Sequence, residues 1–398
     1  MDAEKFLACG MDEVNSCGQF ATRVYGGDGV GAIAELLPPA SVVSVVYSDE
    51  KVFGEYASRL RKRGIVARPY GEIKGDERMV VSLGGGIDAE RARIAADTCE
   101  LPSFVVLASP DASTALSRVC YDYRSPLFGV KCDFPVGIAV AEDLTRGEAL
   151  AGAFGSVCAL AVAAFDYEAG ARATGKSPDR SVITAANGLC YRVLDLMREY
   201  DRESRALPAL MATLTVKCAL LSQACDFDLN RGSHDDCART AAALFIREGR
   251  KVPERGECAF IFATALSRLY RTSLFYGGEF VPPPDDNLRA ELMGEYFGLS
   301  EMTAARMTAC KIKNAPLAAY RVHEYRDELE LSVSDACAAV DEGAKYFRRL
   351  FPDDGYAARS YFDRADMRTV IAFAPDSRSA NITALTLMRE FGLLDKYL

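Results

Sequence analysis

Apolar positions follow two different rhythms along this 398-residue chain. Up to about residue 143, short β-branched runs alternate with helical patterns. Val42–Tyr47 reads as a buried strand, Glu50–Arg63 as an amphipathic helix ended by Gly64, and Ile65–Arg68 as the next strand. Met79–Leu83 is another apolar run. It leads into Gly84-Gly85-Gly86, a helix over about Asp88–Asp97 and the strand Phe104–Leu107. Strand, helix and strand at this spacing predict right-handed crossovers and a parallel sheet. Beyond residue 143 the β signal nearly vanishes. Helical spacing of apolar residues covers Glu148–Gly170, Thr184–Tyr200, Ala206–Cys225, Asp235–Glu248, Glu257–Phe275 and Leu288–Phe297. It returns over Ser332–Leu350, Asp366–Phe373 and Ile382–Phe391. Val281–Asp286, with its consecutive prolines, reads as a loop. The predicted layout is α/β plus all-α. A Rossmann-like parallel-sheet domain spans residues 1–143, an all-helical domain spans 144–398, and a cleft lies between them.

Composition then narrows the function. The chain is 49% hydrophobic and 26% charged, the profile of a soluble globular protein with a substantial core. Its net charge of −9 argues against nucleic acid or an anionic membrane as partner, since both need a basic surface. The uncharged stretch Ala149–Phe165 is short for a membrane span and reads as a buried helix. The first residues, Met1-Asp2-Ala3-Glu4-Lys5, lack the cationic and apolar segments of a signal peptide. These features lead to the expectation of a cytoplasmic protein acting on a small molecule, with homo-oligomerisation left open. The 13 cysteines form no Cys-x-x-Cys pair, and Cys158, Cys190, Cys218 and Cys258 fall in apolar helical stretches. Reduced core thiols are the reading. Histidine is limited to His234 and His323, which excludes a three-histidine metal site.

The local chemistry is densest at Val80–Asp88. A buried strand runs into three glycines and then a helix. Glycine lets a backbone approach a pyrophosphate, and the helix N-terminus offers unpaired N–H groups at the positive end of its dipole. Asp88 is expected as the N-cap, with Arg91 one turn on. The bland alternative is a turn that needs positive φ. After the strand Val42–Tyr47, Asp49 is placed either to meet a nucleotide ribose or to cap the following helix.

These segments resemble, in order, the dehydroquinate synthase-like, iron-containing alcohol dehydrogenase superfamily, with sn-glycerol-1-phosphate dehydrogenase as the branch most alike. Val24–Val30 resembles its first strand and glycine turn, Ser48-Asp49-Glu50 its ribose-proximal turn, and Gly84–Asp88 a shortened form of its Gly-Gly-Gly-x-x-Ile-Asp turn. Ala108–Ser113 lies where the family has its substrate loop, and Pro135–Glu142 resembles the strand that leaves the domain. Ala151–Ser156, Arg231–Asp235, Arg255-Gly256-Glu257 and Ala374–Arg378 with Thr383 resemble later motifs. The resemblance implies NAD or NADP as cofactor, with Asp49, Gly84, Gly85, Gly86, Asp88, Ser109 and Ser117 around it. Ser113 and Ser156 would face the substrate. A carboxylate at Asp49 leans towards NAD, because it repels a 2′-phosphate.

The family binds zinc or iron through one Asp and two His, which polarises the substrate oxygen. Here the Asp position is Ser156, the first His position is Asp235 (or its neighbour His234), and the second is Arg255. A serine and an arginine make a divalent metal unexpected. Arg255, Asp235 and His234 are then the candidate catalytic residues, with Arg255 stabilising an alkoxide or binding a substrate anion. Lys311 and Lys313 add further positive charge, although most such lysines are simply solvated. Two other readings stay open: a non-catalytic nucleotide-binding protein on the same scaffold, and a dehydroquinate synthase-like lyase. A different register would let Asp226, Asp228, Asp235, Asp236 and Glu257 build an oxygen-rich cation site. On its own, His234 reads as an exposed helix-start residue capped by Ser233, and Arg255 as a solvated loop residue.

Overall fold

The computed structural model describes residues 1–71, 74–122, 124–147, 149–275, 286–350, 361–377 and 381–394. The loop expected at Val281–Asp286 falls on 281–285 and Arg378 also lies outside the described residues. Six strands form a parallel sheet: β1 (Arg23–Tyr25), β2 (Val42–Tyr47), β3 (Val66–Pro69), β4 (Glu77–Gly84), β5 (Ser103–Leu107) and β8 (Gly137–Val140). Their spatial order is β1-β8-β5-β4-β2-β3. Strands β5 and β8 are buried at every residue, and β2 and β4 nearly so. That is why they read as continuous apolar runs: a parallel sheet is covered on both faces. Helices α2 (Val30–Leu36) and α3 (Glu50–Lys62) cover one face, where Ile33, Val52, Tyr56 and Leu60 pack on Val43, Val45 and Val81. Helix α4 (Gly86–Thr98) covers the other, with Ala92, Ala95 and Ala96 against Val46 and Val80.

The chain then becomes helical. Helix α5 (Leu150–Thr174) is the axis of this half, buried on nearly every side. Around it lie α6 (Arg180–Glu199), α7 (Leu207–Ala224), α8 (Ser233–Arg247) and α9 (Arg255–Ser273). Further along come α10 (Asp286–Phe297), α11 (Glu301–Thr308), α12 (Ala315–Glu324) and α13 (Arg326–Leu350), then helices at Arg364–Phe373 and Ala384–Glu390. A helix that is apolar all round must be enclosed, and α5 is. By length and composition α5 and α7 are apolar enough to cross a membrane, but 89% and 67% of their apolar windows are buried inside the protein. The buried Asp166 of α5 is satisfied: it accepts from the Ser233 amide (2.8 Å), the Ser233 hydroxyl and the Ala384 amide (3.0 Å). All 13 cysteines are free thiols.

The structure departs from the sequence expectation in three places. Helix α1 (Ala3–Ala8) docks on α6, and Lys217 Nζ of α7 donates to the Leu7 and Cys9 carbonyls at 3.1 and 2.8 Å. The first residues therefore pack with the helices and not with the sheet. A small antiparallel hairpin, β6 (Val119–Tyr121) with β7 (Gly129–Lys131), leaves the sheet and sits under α8, where the Arg239 guanidinium stacks 3.9 Å from the Tyr121 ring centre. Strands this short carry too few residues for an alternation to show. Helices α11 and α12 likewise sit between the periodic stretches, and their capping residues Ser300 and Asn314 were the available signals.

Candidate functional site

The cleft opens where the strand order reverses. After β2 the chain adds β3 on one side, then crosses to build β4, β5 and β8 on the other. The carboxyl ends of β2 and β4 diverge into a crevice, where open α/β sheets take ligands. A cavity of about 350 Å³ fills it. Ser48, Asp49 and Gly84–Asp88 line it from the sheet, Ser109 and Asp111 from the loop after β5, and Arg146, Glu254 and Arg255 from the helical side.

The glycine turn is shaped by crowding. None of Gly84, Gly85 and Gly86 has positive φ. A Cβ on Gly84 would lie 2.0 Å from Asp88 Oδ2, one on Gly86 2.7 Å from Thr114 Oγ1, and one on Gly85 3.1 Å from Ser109 Oγ. The positive-φ alternative is corrected accordingly. Asp88 is not the N-cap; Gly85 is. The Asp88 carboxyl folds back beneath the turn, accepts from Ser48 Oγ at 2.8 Å and faces Arg91 at 3.9 Å. Burial pushes its pKa up, against Ser48, Arg91 and the Gly85 amide. Asp49 caps α3 through Oδ1, which accepts from the Lys51 and Val52 amides at 2.8 and 3.1 Å. Its Oδ2 lies 3.8 Å from Arg146 Nε, so one carboxylate serves the cap and faces the crevice. Those amides hold it below the usual range.

The opposite wall depends on backbone contact between α5 and α9. A Cβ on Gly256 would fall 2.0 Å from the Gly152 carbonyl, and one on Gly155 2.4 Å from the Gly256 carbonyl. This explains the glycines in Ala151–Ser156 and Arg255-Gly256-Glu257. Gly256→Ala is expected to destabilise the fold by roughly 1–3 kcal/mol, because rigid backbone must yield to the new methyl. Urea denaturation will show it as a lower midpoint; an unchanged midpoint would contradict the contact.

That close crossing brings Arg255 onto the buried Asp235. Arg255 Nε donates to Asp235 Oδ1 at 2.7 Å, and Nη2 pairs with the same carboxylate and donates to the Asn230 carbonyl at 3.0 Å. Nη1 donates to Ser113 Oγ at 3.2 Å. Ser113 Oγ in turn donates to Asp111 Oδ1 at 2.7 Å, and Ser156 Oγ donates to Asp111 Oδ2 at 3.4 Å. Of the guanidinium's N–H donors, one on Nη1 has no acceptor among the described residues. It belongs to a side chain that lines the cavity and is 18% exposed. Asp235 also accepts from Arg239 Nε at 3.0 Å and Arg231 Nη1 at 3.2 Å. Burial opposes its ionisation, but Arg255, Arg231 and Arg239 hold it well below the usual carboxylate range.

The three positions that the resemblance gives to metal ligands are thus together, and they do not fit a divalent cation. The lone pairs of Asp235 are taken by guanidinium N–H groups, Arg255 brings positive charge to the same point, and Ser156 is turned to Asp111. The alternative oxygen-rich cluster does not assemble. Among the described residues no group of three His, Cys, Asp or Glu side chains has metal-holding geometry. Asp236 pairs with Arg239, and Asp228 caps the turn before Arg231.

Several sequence candidates lie away from the cavity. Ser117 is fully buried, with Oγ 3.5 Å from Asp228 Oδ1, so its assignment to the cofactor is corrected. His234 does not line the cavity either, and it is not an exposed residue capped by Ser233. It sits buried in the first turn of α8, and burial pushes its pKa down to about 4. A neutral imidazole enclosed this way is core. Asp235, at 0% exposure, meets Arg255 and does not line the cavity. Arg255 itself opens α9 and is not a solvated loop residue. Lys311 is committed to the Ser377 carbonyl at 3.0 Å. The sequence reading missed Arg146, Asp111 and Glu254. Asp111 stood inside the substrate-loop motif and Glu254 beside Arg255, but neither residue type distinguishes a cleft from a solvated loop.

No family model and no curated protein matches this chain. Solved structures do. An alcohol dehydrogenase from an archaeal halo-thermophile of a Red Sea brine pool superposes with a TM-score of 0.57 at 12% identity, covering 95% of this chain and 97% of the other. A probable glycerol dehydrogenase from Sinorhizobium meliloti gives 0.56 at 13% identity over 96% and 98%. The iron-containing alcohol dehydrogenase of Thermotoga maritima gives 0.55 at 12% identity over 94% and 99%. Over almost its whole length this chain has the fold of these dehydrogenases.

Proposed function

We propose that this protein is an NAD(P)-dependent oxidoreductase that interconverts a small polar alcohol, phosphorylated or not, with its carbonyl, and that a guanidinium stands where related folds place a metal. The observation that carries this reading is one continuous cavity running from the glycine turn at the sheet's switch point to the spare Nη1 N–H of Arg255. The fold of the neighbours, two named alcohol dehydrogenases and one named glycerol dehydrogenase, supports it. So does the fit of the crevice to a dinucleotide. Beyond Gly86, the first turn of α4 offers amides and its dipole to a diphosphate. Asp49 Oδ2 is placed for a ribose hydroxyl, and Arg146 supplies a counter-charge. When bound, the nicotinamide ring supplies or accepts the hydride.

The chain's own part is to hold the substrate oxygen. Arg255 is fixed by Asp235 and Ser113 before any ligand arrives. Its remaining N–H is free to meet charge developing on that oxygen, and a donor fixed in advance costs no reorganisation during the reaction. A second reading, a binding protein without turnover, has one observation in its favour: the Gly86 amide at the start of α4 is already donated to the Asp111 carbonyl at 2.8 Å. Calorimetry with NADH and NADPH, followed by turnover of a panel of hydroxy-carbonyl compounds, separates the two. Binding with turnover is expected. Binding without turnover supports the second reading, and absence of binding removes both.

A further inference from the structure

Glu254 is the group in the cavity that the proposed function leaves without a task. It occupies the N-cap position of α9, yet its side chain does not cap the helix. The carboxyl turns into the cavity and lies flat against Gly152 of α5. A Cβ on Gly152 would stand 2.9 Å from Glu254 Cδ and Oε2, so that glycine makes the room in which the carboxyl lies. Among the described residues nothing hydrogen-bonds or ion-pairs with it. A half-buried carboxyl with no partner is costly if charged, and it is kept beside an arginine whose charge is already spent on Asp235.

We propose that Glu254 is the proton donor of this site: during reduction it delivers its carboxyl proton to the substrate oxygen, and during oxidation it takes that proton back. This rests on the dehydrogenase reading. In the reductive direction the hydride pair from the reduced nicotinamide forms the new C–H bond. The C=O π pair moves onto oxygen, the O–H bond of Glu254 breaks, and its proton completes the alcohol. The products are the oxidised nicotinamide and the Glu254 carboxylate, which is reprotonated from solvent. Arg255 holds the substrate, and Glu254, its neighbour at the start of α9, protonates it.

The surroundings favour the protonated form. Asp111 faces Glu254 from the loop after β5, Glu257 and Cys258 from its own helix, and Asp49, Asp88, Arg146 and Arg255 share the cavity. Burial is the main cause, and the charges of Asp111 and Glu257 add to it, so the carboxyl is pushed up to about 8. The sign for catalysis follows. Reduction needs the protonated acid, so its rate falls as pH rises through about 8; oxidation needs the carboxylate and gains over the same interval.

The test is kcat and kcat/KM against pH for the wild type, Glu254→Gln and Gly152→Ala. Glutamine keeps the shape and loses the proton. It is expected to lower kcat by at least about 100-fold, with little change in KM, and to erase the limb near pH 8. Gly152→Ala keeps the acid but pushes it off its seat, with only the end of a flexible side chain in the way. It is expected to lower kcat and shift the limb. In the wild type alone, infrared spectra should show a protonated-carboxyl band at neutral pH that vanishes in Glu254→Gln. Wild-type turnover with both variants at full rate and unchanged pH profile would overturn the assignment of Glu254 and leave the dehydrogenase reading intact. A wild type that neither binds the dinucleotide nor turns over would overturn that reading and this inference with it.

Discussion

Arg255→Ala is expected to lower kcat/KM by about 10³-fold, roughly 4 kcal/mol of transition-state stabilisation, the size of effect seen when a preorganised oxyanion donor is removed. The loss should fall mainly on kcat, because the N–H group meets a charge that exists fully only in the transition state. Folding should suffer much less. Asp235 keeps Arg231 and Arg239 after the truncation, so no buried carboxylate is stranded. Arg255→Lys should restore only part of the rate. An ammonium carries the charge but cannot make the fork that joins Asp235, Asn230 and Ser113. Steady-state kinetics on the three proteins, with melting curves recorded alongside, check this. An alanine variant with wild-type kcat would show that the guanidinium serves structure alone.

The largest effect on stability is expected from Asp235→Asn. This carboxylate is fully buried and answers three guanidinium groups. Glu90 at 2.8 Å from Arg231, and Asp236 on Arg239, would be the anions left to them. Removing one member of a buried charged group typically costs about 3–5 kcal/mol, because the partners stay desolvated. Urea unfolding at neutral pH measures it directly. Acid adds an independent check. The three arginines hold the Asp235 carboxyl well below the usual range, so its folded-state value is depressed. Its stabilisation is complete above the unfolded value, about 4, and is lost only as pH falls towards the folded one. The gap between wild type and variant should stay level from neutral pH to about 4 and narrow below that. A variant as stable as the wild type would mean that the arginines find other partners.

The sheet and most helices were legible because burial imposes period. The runs at Val42–Tyr47, Met79–Leu83 and Phe104–Leu107 are apolar on both faces since helices cover both sides of those strands. Regions with mixed burial were not legible in the same way, as β6, β7, α11 and α12 show. The site divides along the same line. Gly84–Gly86, Asp49 and Arg255 were found because each sits at an element boundary or inside a motif. His234, inside the Arg231–Asp235 motif, met the same criterion and lies in the core, as does Ser117. Glu254 lies outside the quoted motifs, at a helix start expected only from Glu257, and lines the cavity.

By itself the sequence determined the order of the long buried strands and of most helices, the glycine turn at the end of β4, and the residues that stand at the three ligand positions of the resemblance. Side-chain chemistry and periodicity are local properties, and a chain records them directly. Only the tertiary structure decided what those residues do together. It brought Arg255 onto Asp235, twenty residues away in the chain, through the Gly152–Gly256 contact of two helices. It buried His234 and turned Glu254 towards the cleft. Which partner a charge meets, and how much water it keeps, are set by the packing of distant segments, and those two quantities decide whether a carboxyl, a guanidinium or an imidazole is core or site.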